Sequence, residues 1–491
     1  MNKPLRRISI FCGLLVLALL VRTNWLQYVK AEELSTRKEN RRVQIAQYAT
    51  ERGNIIVEGK PITGSVVTDG SDYKYKRTYL NGPLWAPVTG YASQAFGSTQ
   101  LESLEDGILT GNDDRLFFDR TIGMFTGEKK QGGNVVTTLN SAAQEAAFKQ
   151  LGDKKGAVAA IDPRTGAILA LVSTPSYDPS SFAGVSQSVD GKAWNELKDS
   201  EDKKLVNRAL RETYPPGSTF KVVTAAAALE HGVVTDINAP TDTEDPYILP
   251  GTKTEMVNHA PNCGKATLNY ALQVSCNSVF ANMGDKVGRD NMVKTAEKFG
   301  FNNGKIDTPV RAYPSVYDKT MGKDGNALSS IGQFNTAATP LQMAMVTAAI
   351  ANNGKLMKPY MVSHLQSPGL DIVEKHEPEE MSRPLSPENA EKVRAMMVNV
   401  VENPNGTGRT ARIPGVTVGG KTGTAQHGEG NKKRPYAWFI SYAQNPDGSS
   451  PVAVAVVIED SSADREDISG AGLAAPVAKA VMQAVLKSNK Q

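Results

Sequence analysis

"YPPGSTFKVV", residues 214–223, decides how the rest of the chain is read. Pro215, Pro216 and Gly217 close whatever precedes them, because proline lacks a backbone donor and glycine accepts turn conformations. The alanine-rich run TFKVVTAAAALEHG (219–232) then reads as a helix that stops at Gly232. Ser218 therefore stands at a helix N-terminus, and Lys221, three residues on, shares its face. Two readings are open at this point. Ser218 can be a capping serine, a favoured residue there, with Lys221 on the surface. Or it can be a nucleophile: a serine hydroxyl is weak and needs an adjacent base. Lysine serves only when neutral, which burial or a nearby cation brings about. Free N–H groups at a helix start can also hold an oxyanion.

Two partners lie downstream. LQVSCNSVFANMG (272–284) holds Ser275-Cys276-Asn277, and VTVGGKTGTAQ (416–426) holds Lys421-Thr422-Gly423-Thr424. S-x-x-K, then a serine–x–asparagine triplet, then K-T-G is the order found in penicillin-binding proteins and class A β-lactamases. On these motifs the chain resembles a class B penicillin-binding protein, a D,D-transpeptidase that cross-links peptidoglycan. The resemblance continues through GAVAAIDPRTGAILALVSTPSYDP (156–179), SSIGQFNTAATPLQMAMVTAAIANNG (329–354) and GTGRTARIPG (406–415). The SCN setting and the short length are similar to the actinobacterial A type of that family.

The 491 residues are too many for one ordinary core and imply two or more domains. A net charge of +4 gives no reason to invoke nucleic acid, and no basic stripe is present. MNKPLRR precedes ISIFCGLLVLALLV (8–21), an uncharged apolar run followed by RTNWLQYV. A run this short fits a signal peptide or a membrane span. No A-x-A-like site follows, Trp25 and Tyr28 suit an interface belt, and Lys3, Arg6 and Arg7 favour a cytoplasmic start. The expected layout is a cytoplasmic tail (1–7), a single uncleaved anchor (8–26), a pedestal or dimerisation-like domain (27–155) and a transpeptidase domain (156–491). Everything after the anchor is then extracytoplasmic.

There Cys263 and Cys276 can form a disulfide that pins the second motif; two free buried thiols are the alternative. Cys12 is a small apolar residue of the span. The five histidines and three cysteines show no metal-ligand spacing, so no cofactor is expected.

The pedestal opens on RRVQIAQYATERGNIIVEGKPI (41–62), a polar stretch turning into a hairpin. The family carries an R-G-x-I element here, Arg52-Gly53-Asn54-Ile55, and a G-L-E-like element, here Gln100-Leu101-Glu102 with glutamine for the usual glycine. An amphipathic helix ends the stretch 135–153. Beyond it the chain reads as α+β. GAVAAID and AILALVS flank the turn Pro163–Gly166, and GVTVGGKTG, YAWFISYAQ and VAVAVVIE lie near the C-terminus. LAAPVAKAVMQAVLK closes the chain as a helix; helical sequence, including 268–287 and 340–352, fills the middle. Five such strands imply an antiparallel sheet with helices on its faces, the penicillin-binding/serine β-lactamase-like fold the resemblance also implies.

The chemistry assigns roles. Ser218 attacks a D-Ala-D-Ala carbonyl and Lys221 is its base. Ser275 shuttles a proton to the departing D-alanine nitrogen, and Asn277 serves the substrate amide and the lysine. Lys421 lowers the pKa of Lys221 and attracts the substrate carboxylate, which Thr422 and Thr424 bond. The resemblance implies an oxyanion hole from the N–H groups of Ser218 and Thr424. Successive strand residues alternate faces, so the site wall is the strand's edge, and Gly423 lets substrate backbone approach. His427 reads as a loop residue, and Trp438 and Phe439 as core. Gly332-Gln333 match a family element near the cleft.

Between Asn277 and Glu374 the only glutamate is Glu297, so no deacylating glutamate is in view. The rival readings are a D,D-carboxypeptidase or β-lactamase, opposed by anchor and pedestal, and a scaffold of a wall-synthesis complex, opposed by the intact motifs. The resemblance implies stem peptides as substrate, β-lactams as covalent inhibitors, and a membrane glycan polymerase of the shape, elongation, division and sporulation family as partner.

Overall fold

The computed structural model describes residues 3–35, 45, 47–68, 73–127, 129–184, 186–460 and 468–489. The apolar N-terminal run forms helix α1 (Lys3–Asn24), continued by a π-helical turn to Val29. Within the 27 residues to Val29 the most apolar 18-residue window has a mean hydropathy of 2.0 and none of it is buried, so the helix is long and apolar enough to cross a membrane.

The first domain is built on a five-stranded sheet. Strands β1 (Ile55–Val57) and β2 (Lys60–Pro61) form the expected hairpin, turning through Glu58 and Gly59, both at positive φ. A ten-residue helix α2 (Phe117–Thr126) precedes β3 (Asn134–Thr137), which pairs parallel to β1. Helix α3 (Ser141–Leu151), capped by Asn140, leads into the second domain.

There β4 (Lys155–Ile161) and β5 (Ile168–Thr174) form a hairpin. Helices α4 (Lys221–Glu230), α5 (Leu268–Val274), α6 (Asn277–Val287) and α7 (Pro340–Ala351) follow. Strands β6 (Val362–Gln366) and β7 (Ile372–Lys375) come next, then α8 (Pro387–Glu402). The C-terminal run is β8 (Thr417–Ala425), β9 (Tyr436–Gln444), β10 (Val452–Asp460) and α9 (Ala475–Ser488). The sheet order is β8-β9-β10-β4-β5, antiparallel throughout.

Both faces of this sheet are covered, so its inner strands carry runs of consecutive apolar residues, as at Ala157–Ile161 and Val452–Ile458. Ala157, Ala159, Trp438, Ile440 and Ala455 face the core shared with α4, α6, α7 and most of α8. Val158, Ala160, Phe439, Val454 and Val456 face the core under α3 and α9. Trp438 and Phe439 are thus both buried, on opposite faces.

Residue 155 does not divide the sheets. β6 pairs with β3, giving a first-domain sheet ordered β7-β6-β3-β1-β2, so the second stretch of chain lends two strands to the pedestal. Two sequence elements of the pedestal also meet. Arg52 donates to Glu102 Oε2 at 2.6 Å and to Asp106 Oδ1 at 2.6 Å, and Arg77 donates to Glu102 Oε1 at 2.6 Å. Glu102 is fully buried; burial raises its pKa and the two guanidiniums, which outweigh it, hold it below the ordinary carboxylate value. Gln100 sits at φ +52, the conformation a glycine would take without strain.

Candidate functional site

Ser218 lies on a tight turn rather than at a capped helix end. Gly217–Phe220 form a 3-10 turn that runs into α4, and no side chain caps it. The capping reading of Ser218 therefore falls: its hydroxyl makes no cap bond and is half-buried. Gly217 takes φ +53, and its N–H donates to Gly332 O at 2.9 Å. A Cβ on Gly332 would stand 2.1 Å from Gly217 O, which explains the glycine of the Gly332-Gln333 element: it is the floor on which the serine turn rests. Trp438 Nε1 donates to Pro215 O at 3.0 Å, so this strand residue fastens the turn as well as filling the core. Tyr214 packs edge-on against Tyr436 and Trp438.

The first turn of α4 carries Lys221 into the interior. Its Nζ donates to Ser275 O at 2.8 Å and to Asn277 Oδ1 at 2.8 Å, and lies 3.1 Å from Ser275 Oγ. All three partners belong to the second motif and none is Ser218. Burial, and then the Lys421 charge, hold the Lys221 amine well below the ordinary lysine value. The partner set suits a neutral amine. Two acceptors take its two N–H groups, and its lone pair is left for the one neighbour that can donate, the Ser275 hydroxyl.

Ser275 ends α5 at φ +68. The stretch 268–287, read as one helical run, is broken here into α5 and α6, and the break turns the Ser275 side chain and carbonyl to the lysines. Lys421 Nζ donates to Ser275 Oγ at 2.9 Å and to Thr422 O at 2.9 Å. Ser275 Oγ thus bridges two lysines. Lys421 is fully buried, and burial brings its pKa down to about 7.

Asn277 opens α6. Its N–H donates to Asn258 Oδ1 at 2.6 Å, and its Nδ2 to Val257 O at 2.8 Å. The Ser278 N–H shares Asn258 Oδ1 at 3.1 Å, so a distant asparagine caps this helix. Cys263 and Cys276 are disulfide-bonded, tying the same loop to the residue between Ser275 and Asn277. Asn258 carries no signal in the sequence, since its partners lie about twenty positions on.

β8 is the edge strand, and its free edge carries the third motif. Thr424 is exposed, whereas Thr422 Oγ1 donates to Thr407 Oγ1 at 2.8 Å. Thr407, in the lead-in to the motif, went unread. A Cβ on Gly423 would meet Thr219 Cγ2 at 2.9 Å and Pro216 O at 3.1 Å. The glycine therefore lets the strand lie against the serine turn, a different neighbour from the substrate backbone the sequence reading gave it. His427 is a loop residue, stacked on Tyr436 at 3.9 Å with Nε2 2.6 Å from Arg434 O.

The arrangement can deliver a hydroxyl to a carbonyl beside a neutral amine, with a second amine for a carboxylate. Residues 156–483 match the family described as "Penicillin binding protein transpeptidase domain", and residues 52–135 match "Penicillin binding protein A dimerisation domain". The chain is 40% identical to the peptidoglycan D,D-transpeptidase PbpA of Mycobacterium tuberculosis over 99% of both chains. It stands at the same identity and coverage to the PbpA of Mycolicibacterium smegmatis. The ceftriaxone acyl-enzyme of M. tuberculosis penicillin-binding protein A superposes with a TM-score of 0.84 at 39% identity, over 90% of this chain and 100% of that one.

Proposed function

Because the chain belongs to the class B penicillin-binding transpeptidases, we propose that it works through an acyl-enzyme on Ser218 with Lys221 as base. It is a peptidoglycan D,D-transpeptidase. Ser218 Oγ attacks the carbonyl carbon of the penultimate D-alanine of a stem peptide while Lys221 takes its proton. The N–H groups of Ser218 and Thr424 hold the oxyanion. Collapse of the tetrahedral intermediate breaks the peptide bond, and the proton passes from Lys221 through Ser275 Oγ to the leaving D-alanine nitrogen. An acceptor amine from a second stem peptide then attacks the ester, returns a proton by the same path and frees Ser218. Asn277 orients the substrate amide. Lys421, Thr422 and Thr424 hold the terminal carboxylate, and Gly423 keeps the strand close to the nucleophile.

The observation that carries this reading is the depressed, fully buried Lys221 amine, hydrogen-bonded to Ser275 and Asn277. β-Lactams acylate the same serine. The disulfide Cys263–Cys276 steadies the second motif. α1 anchors the chain in the cell membrane as a single pass, with residues 1–7 cytoplasmic, residues 27–155 forming the pedestal and residues 156–491 the extracytoplasmic transpeptidase domain. The anchor and pedestal engage a membrane glycan polymerase.

Intact mass after incubation with penicillin tests the core of this. A stable adduct is expected on the wild type and none on Ser218→Ala. Rapid drug hydrolysis without an adduct would make the chain a hydrolase, and an adduct that survives in Ser218→Ala would remove Ser218 from its role.

A further inference from the structure

Helix α2 stands in the pedestal with its apolar side outward. A helix on a globular domain ordinarily turns that side inward, since burying apolar surface drives packing. In α2, Phe118, Ile122, Met124 and Phe125 are 77, 59, 86 and 88% exposed. The half-buried side carries Arg120, whose guanidinium donates to Asn112 O at 2.6 Å. Lys130 bonds the side chain of the same Asn112, and Lys129 beside it is exposed. A cavity of about 780 Å³ lies between α2 and the Pro368-Gly369 turn. Beyond that turn, Leu370 and Ile372 are again exposed, at 63 and 59%. This tip of the pedestal thus exposes large apolar side chains from two segments distant in sequence.

We infer that this tip rests on the lipid surface in which the chain is anchored. The side chains of α2 enter the acyl boundary, and Lys129 and Lys130 meet anionic headgroups. Aromatic and aliphatic residues line the outward side of α2, as in helices lying in the interface, and Lys129 and Lys130 follow its C-terminal end, with Asp119 exposed in its first turn. Seventeen residues separate Val29 from Gln47, so the pedestal cannot stand more than about 60 Å from the end of α1 even when they are fully extended. The inference rests on α1 being a membrane anchor.

The test uses the full-length chain in vesicles of phosphatidylethanolamine and phosphatidylglycerol. A polarity-sensitive fluorophore is placed on Cys12, which is free, or on position 125 in Cys12→Ala/Phe125→Cys. Lipids brominated near the acyl carbonyl serve as quenchers. Both probes are expected to be quenched, position 125 losing about half its emission as an interfacial side chain should. Lys129→Glu/Lys130→Glu, or vesicles of phosphatidylcholine alone, should relieve quenching at 125 but not at Cys12. Quenching at Cys12 with none at 125 would overturn the inference and leave the anchor intact. No quenching at either would overturn both. A blue shift at 125 that lipid does not quench and dilution of protein in the vesicle reverses would place a second copy on α2 and overturn it as well.

Discussion

Lys421→Met should make the protein more stable at neutral pH while abolishing its acylation. Burial brings the Lys421 amine from 10.5 down to about 7. Between those values the unfolded chain holds the proton and the folded chain does not, so stability rises with pH across that window. At pH 7 and below the folded protein carries the cost of a buried charge, about 5 kcal/mol at 1.36 kcal/mol per pH unit. Methionine has similar volume and no charge. It forfeits the hydrogen bonds to Ser275 Oγ and Thr422 O, each about 1 kcal/mol. The net gain is about 3 kcal/mol at pH 7, which for a domain of this size raises the melting temperature by about 4 °C. The gain should cross zero at about pH 9, where the remaining wild-type penalty equals the roughly 2 kcal/mol of lost hydrogen bonds, and reverse above it. Relief of Lys221 from its neighbour's charge acts in the same direction. Thermal unfolding of both proteins in detergent from pH 6.5 to 9.5, read by circular dichroism, measures this. A variant that melts below wild type at pH 7, or a difference constant in pH, would refute a charge held in the interior at a cost.

Lys221, held well below 10.5 by burial and by Lys421, should leave β-lactam acylation fully active well below pH 10. A pH–rate profile whose acidic limb falls near 10 would show a base of ordinary lysine basicity and refute the depressed amine. Gln100→Gly should stabilise the pedestal by about 1–2 kcal/mol, since glutamine is held in the left-handed region. An unchanged or lower melting temperature would show the side chain to be worth more than the strain. Removing the disulfide in Cys263→Ser/Cys276→Ser opens a loop closed over a separation of 13 residues and should cost about 3 kcal/mol. Penicillin acylation should slow too, because the loop that caps Asn277 loses its covalent tie; an unchanged acylation rate would confine the bridge to stability.

The catalytic sheet was legible because each strand is a short apolar run bounded by turn residues, as at Asp162–Gly166 and Asn445–Pro451. The site was legible because three short motifs carry it, and each proved to touch the next through Ser275. What stayed hidden has no local signature. The break at Ser275 contains neither glycine nor proline, and Ser275 is held across it by bonds to Lys221 and Lys421, 54 and 146 residues away in sequence. The support of the serine turn by Gly332 and Trp438 joins segments more than a hundred residues apart. The sharing of β6 with the pedestal is equally non-local. Arg77 lies in a stretch with no motif, yet together with Arg52 it allows Glu102 to stay charged with no solvent exposure.

These hidden contacts follow from the chemistry the motifs demand. A lysine that is held neutral has to be buried, and a second lysine 2.9 Å from the shared serine raises the cost further. Such a cluster opens unless the segments carrying it are fastened from outside. Each segment has such a fastening: Gly332 and Trp438 for the serine turn, Asn258 and the disulfide for the second motif, Thr407 for the third. Every fastening acts on the backbone or on a neighbouring side chain, and none takes a hydrogen bond from the lysines, whose donors stay committed to Ser275, Asn277 and Thr422. The two kinds of residue should therefore separate in experiment. Loss of a lysine removes acylation and relieves strain, whereas loss of a fastening residue lowers stability and acylation together.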